Sequence, residues 1–247
     1  MILVLDTSTD HCVLALASGS PLLSKEGAGG WSLESHVIAE DVFPSRRTLS
    51  QMLLGRLDAL LAGQGKTLAD IDAFAVGVGP GSFTGLRVGV TTMKMFAQAL
   101  ALPLVGVPSF DGYPAAEGQG VAVVPLLPSR RGEVYGAVYR DGVVVAEPFA
   151  ESHDDLRARI AALLVHGPVT AALSAPLYEE LFASWALASD VAHAICDYPS
   201  PEHLARSAFR ILGGSADSDP RALTPAYVAP PVITTPRDPS ILGRSPS

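Results

Sequence analysis

Residues 77–89 read GVGPGSFTGLRVG, and this stretch decides the fold. It follows an apolar run at residues 71–78, which predicts a buried strand, and opens a helix predicted from about Thr84 to Leu100. Converging backbone N–H groups at a helix N-terminus favour anions, so a phosphate loop is one interpretation. However, the stretch lacks the lysine of a Walker A loop, and Ser82 stands where a dinucleotide loop has its third glycine. We therefore interpret it as a tight strand-to-helix turn.

Three glycines of this stretch, Gly81, Gly85 and Gly89, are spaced four residues apart. On a helix this spacing leaves one face without side chains, so another backbone can approach closely. Each glycine inside a helix costs about 0.8–1.0 kcal/mol relative to alanine, which indicates that the close approach matters. The approaching surface is either the chain's own sheet or a partner, and the spacing does not distinguish the two.

Outward from this turn, the hydrophobic pattern predicts the same order of elements in each half of the chain. In the first half we predict strands at Ile2–Leu5, Cys12–Ala17 and, more weakly, Leu22–Lys25, a helix at Arg46–Leu61, the strand at 71–78, the helix at 84–100, a strand at Leu104–Val107 and a short helix at Ser109–Ala116. In the second half we predict strands at Val121–Leu127, Glu133–Tyr139 and Val143–Phe149, a helix at Asp154–Leu164, a strand at Val169–Leu173, a helix at Leu177–Leu187, a strand at Val191–Ile195 and a helix at Glu202–Leu212.

This duplicated βββαβαβα order predicts an α/β fold with two lobes, of the actin-like ATPase class that also includes sugar kinases. We expect residues 1–107 to form the first lobe and residues 108–229 the second, with the helix at about 202–212 packing back on the first lobe. Residues 230–247 are rich in proline and serine and are expected to be extended or disordered.

Composition and charge narrow the function. The 247 residues are 48% hydrophobic and carry a net charge of −8, without a basic stripe, so unaided binding of nucleic acid is not expected. The two cysteines, Cys12 and Cys196, lie far apart and are expected to be buried free thiols. We find no signal-peptide pattern and no membrane span, so we expect a cytoplasmic protein.

Candidate ligand residues follow the first strand at Asp6, Thr7 and Ser8. In the actin-like class an aspartate and hydroxyl residues at this place meet phosphate and metal, so a weak or vestigial nucleotide site is one interpretation. The alternative is a turn in which these side chains bond their own backbone. None of the six histidines are four residues apart, so we predict no metal site, and we assign no catalytic residue.

The glycine-rich turn also carries a family resemblance. Its motif consists of Gly79, Pro80, Gly81, Ser82, Phe83, Thr84, Gly85, Leu86 and Arg87. Supporting matches are LVLDTST at 3–9, PLVGV at 103–107, RRGEVY at 130–135 and PAYV at 225–228. With these motifs the chain resembles the TsaB (YeaZ) family, whose members are subunits of the bacterial machinery for threonylcarbamoyladenosine in tRNA and relatives of its catalytic subunit TsaD.

The resemblance implies a non-catalytic scaffold or dimerisation subunit. Its expected partners are TsaD, the ATPase TsaE and, in a homodimer, a second copy of itself, with tRNA bound only through the complex and no membrane. No cofactor is expected in the isolated chain, and ATP or ADP only within the complex. The family uses a pair of first-lobe helices to contact its partner, which here implies an interface of Met52, Leu53, Arg56, Gly85, Val88, Gly89, Thr92, Met95 and Phe96.

Two other functions remain as alternatives. An independent small-molecule kinase or ATPase of the same architecture is favoured weakly by Asp6, Thr7 and Ser8. It is opposed by the absence of a phosphate-binding glycine next to them and of a candidate catalytic base. A protease ranks last, because no nucleophile with its catalytic partners can be named.

Overall fold

The computed structural model describes residues 1–23, 29–45, 48–114, 120–130, 132–214 and 219–228, with only the backbone of residues 20–23 and 29–34. Two five-stranded sheets form its framework. The first contains β1 (Ile2–Asp6), β2 (His11–Leu23), β3 (Gly29–Pro44), β4 (Ala73–Gly79) and β5 (Leu104–Pro108). The second contains β6 (Ala122–Pro128), β7 (Glu133–Arg140), β8 (Val143–Ser152), β9 (Val169–Leu173) and β10 (Val191–Ile195). The helices are α1 (Leu49–Gly63), α2 (Phe83–Leu100), α3 (His153–Leu164), α4 (Ala175–Phe182) and α5 (Pro201–Gly213).

Both sheets have the same topology. The first has the strand order β3-β2-β1-β4-β5, and the second has the corresponding order β8-β7-β6-β9-β10. In each sheet the first strand pairs antiparallel with the second and parallel with the fourth. The predicted duplication is therefore confirmed. The lobe boundary between residues 107 and 108 stays a prediction.

Helices cover the two faces of the first sheet unequally. On one face the leucine stripe of α1 and the apolar face of α2 pack on β1, β2 and β4. On the other face α5, which follows the second sheet in sequence, buries its apolar side chains against β1 and β2. Phe209 of α5 is fully buried there, so the last helix joins the core of the first sheet.

The connection between the sheets is braced by Asp111, which lies in a 3₁₀ turn at Ser109–Gly112. The Tyr139 hydroxyl on β7 donates to Asp111 Oδ1 at 3.0 Å, and the Ser207 hydroxyl on α5 donates to Oδ2 at 2.5 Å. Arg210 Nη2 on α5 also donates to Oδ2, at 2.9 Å. One carboxylate thus ties the second sheet to the helix that packs on the first. Burial and the nearby Asp111 charge raise the pKa of Tyr139, which keeps its hydroxyl a donor.

Some sequence predictions need correction. Residues 29–44, for which we predicted no strand, form the edge strand β3, while Leu22 and Leu23 belong to β2 and not to a third strand. The short helix predicted at Ser109–Ala116 is a 3₁₀ turn ending at Gly112, and residues 115–116 lie outside the described part. Helix α4 ends at Phe182, since residues 183–187 turn and bring the Trp185 ring to 5.6 Å from that of Phe182. Residues 24–25, 46–47 and 230–247, which also carried predictions, lie outside the described residues.

Candidate functional site

The end of β1 forms a buried polar centre around Asp6. The Ser8 N–H and hydroxyl donate to Asp6 Oδ1 at 2.8 and 2.6 Å, and the Ser109 hydroxyl donates to Oδ2 at 2.6 Å. The Ser109 oxygen in turn accepts the Gly79 N–H at 3.1 Å, which links the first strand to the glycine-rich turn. Burial raises the pKa of Asp6, although the hydrogen bonds from Ser109 and Ser8 oppose this shift. Both carboxylate oxygens are therefore occupied by groups of the chain itself.

The expected ligand role of Asp6 and Thr7 is corrected by this geometry. Both residues are fully buried, and of the three candidates only Ser8 contributes to the lining of the cleft described below. The Thr7 hydroxyl donates to the carbonyl oxygen of Gly85 at 2.9 Å, so it holds α2 and not a ligand. The turn interpretation of this stretch is the one that the contacts support. Nucleotide binding itself stays a prediction.

The glycine-rich turn is shaped by positive backbone angles. Gly79 and Gly81 have φ of +104° and +152°, a region that residues with a side chain rarely adopt. A Cβ atom at Gly81 would lie 2.2 Å from the carbonyl oxygen of Ser8. That carbonyl accepts the Ser82 N–H at 2.7 Å, and the Ser82 hydroxyl caps α2 by accepting the Gly85 N–H at 3.2 Å. The motif thus docks the start of α2 onto the turn after β1.

The same contacts decide which surface the glycine stripe faces. A Cβ atom at Gly85 would lie 2.2 Å from the carbonyl oxygen of Thr7, and one at Gly89 would lie 2.3 Å from Thr7 Oγ1. Both glycines are buried against the chain's own turn. Their assignment to a partner interface is therefore wrong, because the space that they leave is already filled.

A cleft of about 400 Å³ opens where the carboxyl ends of the two sheets meet. Its walls come from the turn after β1, the end of β6 and the segment after β10. The lining residues are Ser8, Thr9, Asp10, His11, Ser82, Leu127, Pro128, Ser129, Ser174, Pro176, Cys196 and Asp197. Among these described lining residues there is no lysine or arginine, so phosphate oxygens would meet the carboxylates of Asp10 and Asp197 without either of these cations beside them. Cys196, expected to be buried, is instead half-buried at this cleft.

A crevice of about 200 Å³ lies between the N-terminal ends of α1 and α2 and shares Thr9, Asp10 and Ser82 with the cleft. Leu49 and Ser50 form its α1 wall, and Thr84, Gly85 and Val88 form its α2 wall. The cleft therefore adjoins the N-terminal ends of the helix pair.

The predicted interface residues divide into three groups on this helix pair. Met95 is 59% exposed, and Met52, Val88, Thr92 and Phe96 are half-buried. Arg56 is exposed, bonds Asp41 at 3.2 Å and stacks over the Phe43 ring. Leu53, like Gly85 and Gly89, is buried in the core, so its assignment to the interface is wrong. Sequence reasoning missed Leu54, which is 55% exposed; it lies off the leucine stripe of α1, and this position could have identified it.

The segment at residues 219–228, which we name the C-terminal strap, crosses the other flank of α2. Lys94 Nζ donates to the carbonyl oxygens of Arg221 and Leu223, both at 3.0 Å. The Ala226 N–H donates to the Val78 carbonyl at 2.7 Å, and the Tyr227 ring lies 5.0 Å from the Phe83 ring. The strap therefore joins the late PAYV motif to the glycine-rich turn.

Two negative findings concern the described residues. They contain no group of three or more His, Cys, Asp or Glu side chains placed to hold a metal ion. Within the same ranges no helix has the length and apolarity needed to cross a membrane.

The duplicated sheets and the cleft between them define a two-lobed α/β protein of the actin-like class, as predicted. A family model described as TsaD, tRNA N6-adenosine threonylcarbamoyltransferase, matches residues 36–219. The structure of YeaZ from Pseudomonas aeruginosa superimposes with a TM-score of 0.67 and 25% identity, covering 92% of this chain and 98% of that one. The chain therefore belongs to the TsaB (YeaZ) family, within the wider group that the TsaD model describes.

Two curated relatives are similar to parts of this chain. TsaB of Escherichia coli, a tRNA threonylcarbamoyladenosine biosynthesis protein, is 31% identical over 144 residues, 56% of this chain and 54% of that protein. An uncharacterized protein of Mycobacterium leprae is 34% identical over 183 residues, 74% of this chain and 47% of that protein. These two alignments span about half the length of each relative.

Proposed function

We propose that the chain is a non-catalytic subunit of the machinery that forms threonylcarbamoyladenosine next to the anticodon of tRNA, and that it binds and supports the catalytic subunit TsaD. The observation that carries this proposal is the hydrogen bonding of Asp6. In a ligand-binding cleft of this fold an aspartate at the end of the first strand faces the ligand, whereas here three hydrogen-bond donors of the chain itself occupy the carboxylate. The names of the TsaB relatives indicate the pathway, which is the biosynthesis of threonylcarbamoyladenosine in tRNA.

The outer face of α1 and α2 is the surface that we assign to TsaD. Leu54 and Met95 are exposed on it, and Met52 and Val88 are half-buried beside them. Exposed leucine and methionine on neighbouring helices suit a helix-to-helix contact, and methionine is enriched at interface cores. TsaE and a second copy of the chain are further proposed partners. We propose that tRNA is bound only through the complex, because a net charge of −8 opposes unaided binding.

An independent kinase or ATPase is the alternative, and one observation favours it. The cleft, at about 400 Å³, has room for a small ligand, and the side chains of Asp10, His11 and Asp197 in its lining could contact that ligand. The composition of the lining opposes this alternative, because no described lining residue is a lysine or arginine that could bind phosphate. We propose that the isolated chain uses no cofactor and that ATP or ADP enters only with the complex.

Binding to TsaD of the same organism, measured by calorimetry, tests the proposal. We expect a stoichiometric complex, which Met95→Glu weakens at least tenfold because it places a charge on the proposed contact. The matched control is Val165→Glu, since Val165 is 81% exposed at the end of α3 in the second lobe. Absence of binding by the wild-type chain would contradict the proposal. ATP turnover by the pure chain that is lost in Asp10→Asn would support the alternative.

A further inference from the structure

The flank of α2 that faces the C-terminal strap combines cationic and aromatic side chains. Phe83, Arg87 and Lys94 are four and seven residues apart on α2, which places them on one side of the helix. Arg221 and Tyr227 of the strap are exposed beside this side. We name these five residues the cationic flank. It unites the glycine-rich motif with PAYV, two motifs that are remote in sequence.

Three side chains of the cationic flank, those of Arg87, Phe83 and Tyr227, stack on one another. The guanidinium carbon of Arg87 lies 4.9 Å from the centre of the Phe83 ring, whose other neighbour is the Tyr227 ring at 5.0 Å. Phe83 and Tyr227 remain 38% and 44% exposed, so the stack is built and is still open to solvent. An arginine held over an aromatic ring keeps its N–H groups free to bind an acidic group. Among the described residues Arg87 forms no ion pair.

The charge of the flank identifies the chemistry of its ligand. The chain has 25 acidic and 17 basic residues and is therefore negative overall, whereas this flank carries three basic residues. The nearby carboxylate of Asp219 accepts the backbone N–H of Arg221 at 2.9 Å and offsets one of these charges. A carboxylate-bearing segment of a protein complements such a flank. RNA is disfavoured, because it needs many phosphate contacts and the acidic chain repels its backbone.

The flank lies next to the face of α1 and α2 that we assign to TsaD. The exposed ridge of α2, with Thr91 and Met95, lies between the cationic flank and the crevice shared with α1. A partner that covers the α1–α2 face therefore reaches the flank by crossing one helix. Arginine and tyrosine, together with tryptophan, are enriched among the residues that dominate binding energy.

We propose that the cationic flank receives an acidic segment of the catalytic subunit that lies on the α1–α2 face. A carboxylate of that segment pairs with Arg87, and its apolar groups cover Phe83 and Tyr227. This inference rests on the proposed function, and it adds a second, polar contact region beyond the helix pair.

The test measures the affinity for TsaD of the same organism at two salt concentrations. We expect Arg87→Glu to weaken binding at least tenfold and to reduce its salt dependence, and Tyr227→Ala to weaken binding at least fivefold. The matched control is Arg206→Glu, which makes the same charge change on α5 at an exposed arginine and is expected to stay within twofold of wild type. If Arg87→Glu fails to fold, Arg87→Gln takes its place, with the same expected loss of salt dependence.

Each contrary outcome has its own meaning. If Met95→Glu weakens binding while the Arg87 and Tyr227 variants bind as tightly as wild type, this inference is overturned and the proposed function stands. If wild type does not bind TsaD, the proposed function fails. A loss of tRNA affinity by the assembled complex, with unchanged affinity between the subunits, would assign the flank to RNA and overturn the inference. Increased proteolysis within residues 229–247 of Arg87→Glu, with unchanged affinity, would show that the chain covers its own flank and would also overturn it.

Discussion

Replacing Gly85 with alanine is expected to destabilise the folded chain, although alanine favours helices. The new Cβ atom would lie 2.2 Å from the carbonyl oxygen of Thr7. This oxygen belongs to a buried backbone, and the Thr7 hydroxyl already holds the Gly85 carbonyl at 2.9 Å, so the clash cannot be relieved by rotating a side chain. Overpacking of this kind costs about 1–3 kcal/mol. The gain in helix propensity is at most about 0.8–1.0 kcal/mol.

We therefore expect Gly85→Ala to lower the free energy of unfolding by up to about 2 kcal/mol, the net of these two effects. For a chain of this size that corresponds to a fall in Tm of up to about 8 °C. Thermal and urea unfolding followed by circular dichroism measure both quantities.

Gly55→Ala is the matched control, since Gly55 lies within α1 and a Cβ atom there would meet nothing within 4 Å. The same chemical change should stabilise the chain by about 0.5–1 kcal/mol at this position. Because the two variants make the same chemical change, the opposite signs of their effects on the free energy of unfolding separate the packing of α2 on the turn after β1 from helix propensity. If Gly85→Ala is as stable as Gly55→Ala, the stripe does not face the chain's own turn, and the partner interpretation returns.

Three further outcomes follow from the structure. Tyr139→Phe removes the hydrogen bond from the Tyr139 hydroxyl on β7 to the charged carboxylate of Asp111, so it should lower the free energy of unfolding in urea by about 1.5–3 kcal/mol. Tyr135→Phe on the same strand is the control and should have little effect. Equal losses in the two variants would refute the role of Asp111 as a brace. Hydrogen bonds from the Thr67 backbone and side chain lower the pKa of Asp70. The contribution of Asp70 to the stability of the fold is therefore present at a pH above the ordinary aspartate pKa and is lost as the pH falls through the lowered pKa. The urea midpoints of wild type and Asp70→Asn should converge in acid, and a gap that stays constant with pH would contradict this. Burial raises the pKa of the Cys12 and Cys196 thiols, and of the two only Cys196 lines the cleft. Ellman's reagent should therefore modify Cys196 slowly in the native chain and Cys12 only after unfolding. Modification of both thiols at equal rates would contradict this.

Much of the fold was predictable because local patterns agree with it. The strands Val169–Leu173 and Val191–Ile195 have the predicted bounds. The strands predicted at Glu133–Tyr139 and Val143–Phe149 are joined by a tight turn at Asp141 and Gly142, which have φ of +52° and +75°. In these places the apolar runs and the turn residues carry the information in a few neighbouring positions.

Strand β3 was missed because it is an edge strand with polar residues. Its exposure alternates, with His36, Ile38 and Glu40 outward, while Val37 and Ala39 pack against the cores on the two faces of the sheet. The sequence does not show this alternation, because the outward residue Ile38 is apolar and residues 37–39 read as one short apolar run.

The site was harder to predict, since its contacts join residues that are remote in sequence. The stripe of Gly85 and Gly89 predicts a close approach, but only the three-dimensional position of Thr7 shows what approaches. The Asp111 brace likewise joins residues that are 28 and 96 positions apart. No local sequence pattern indicates such a long-range contact, and we did not predict it from the sequence.

The formation of threonylcarbamoyladenosine in a reconstituted reaction tests the central claim most directly. The reaction contains tRNA, threonylcarbamoyl-adenylate, the TsaD and TsaE of the same organism, and the chain described here. We predict that the chain alone forms no product and that its omission from the full mixture lowers the rate at least tenfold. Product formation by the chain alone, or an unchanged rate without it, would contradict the account.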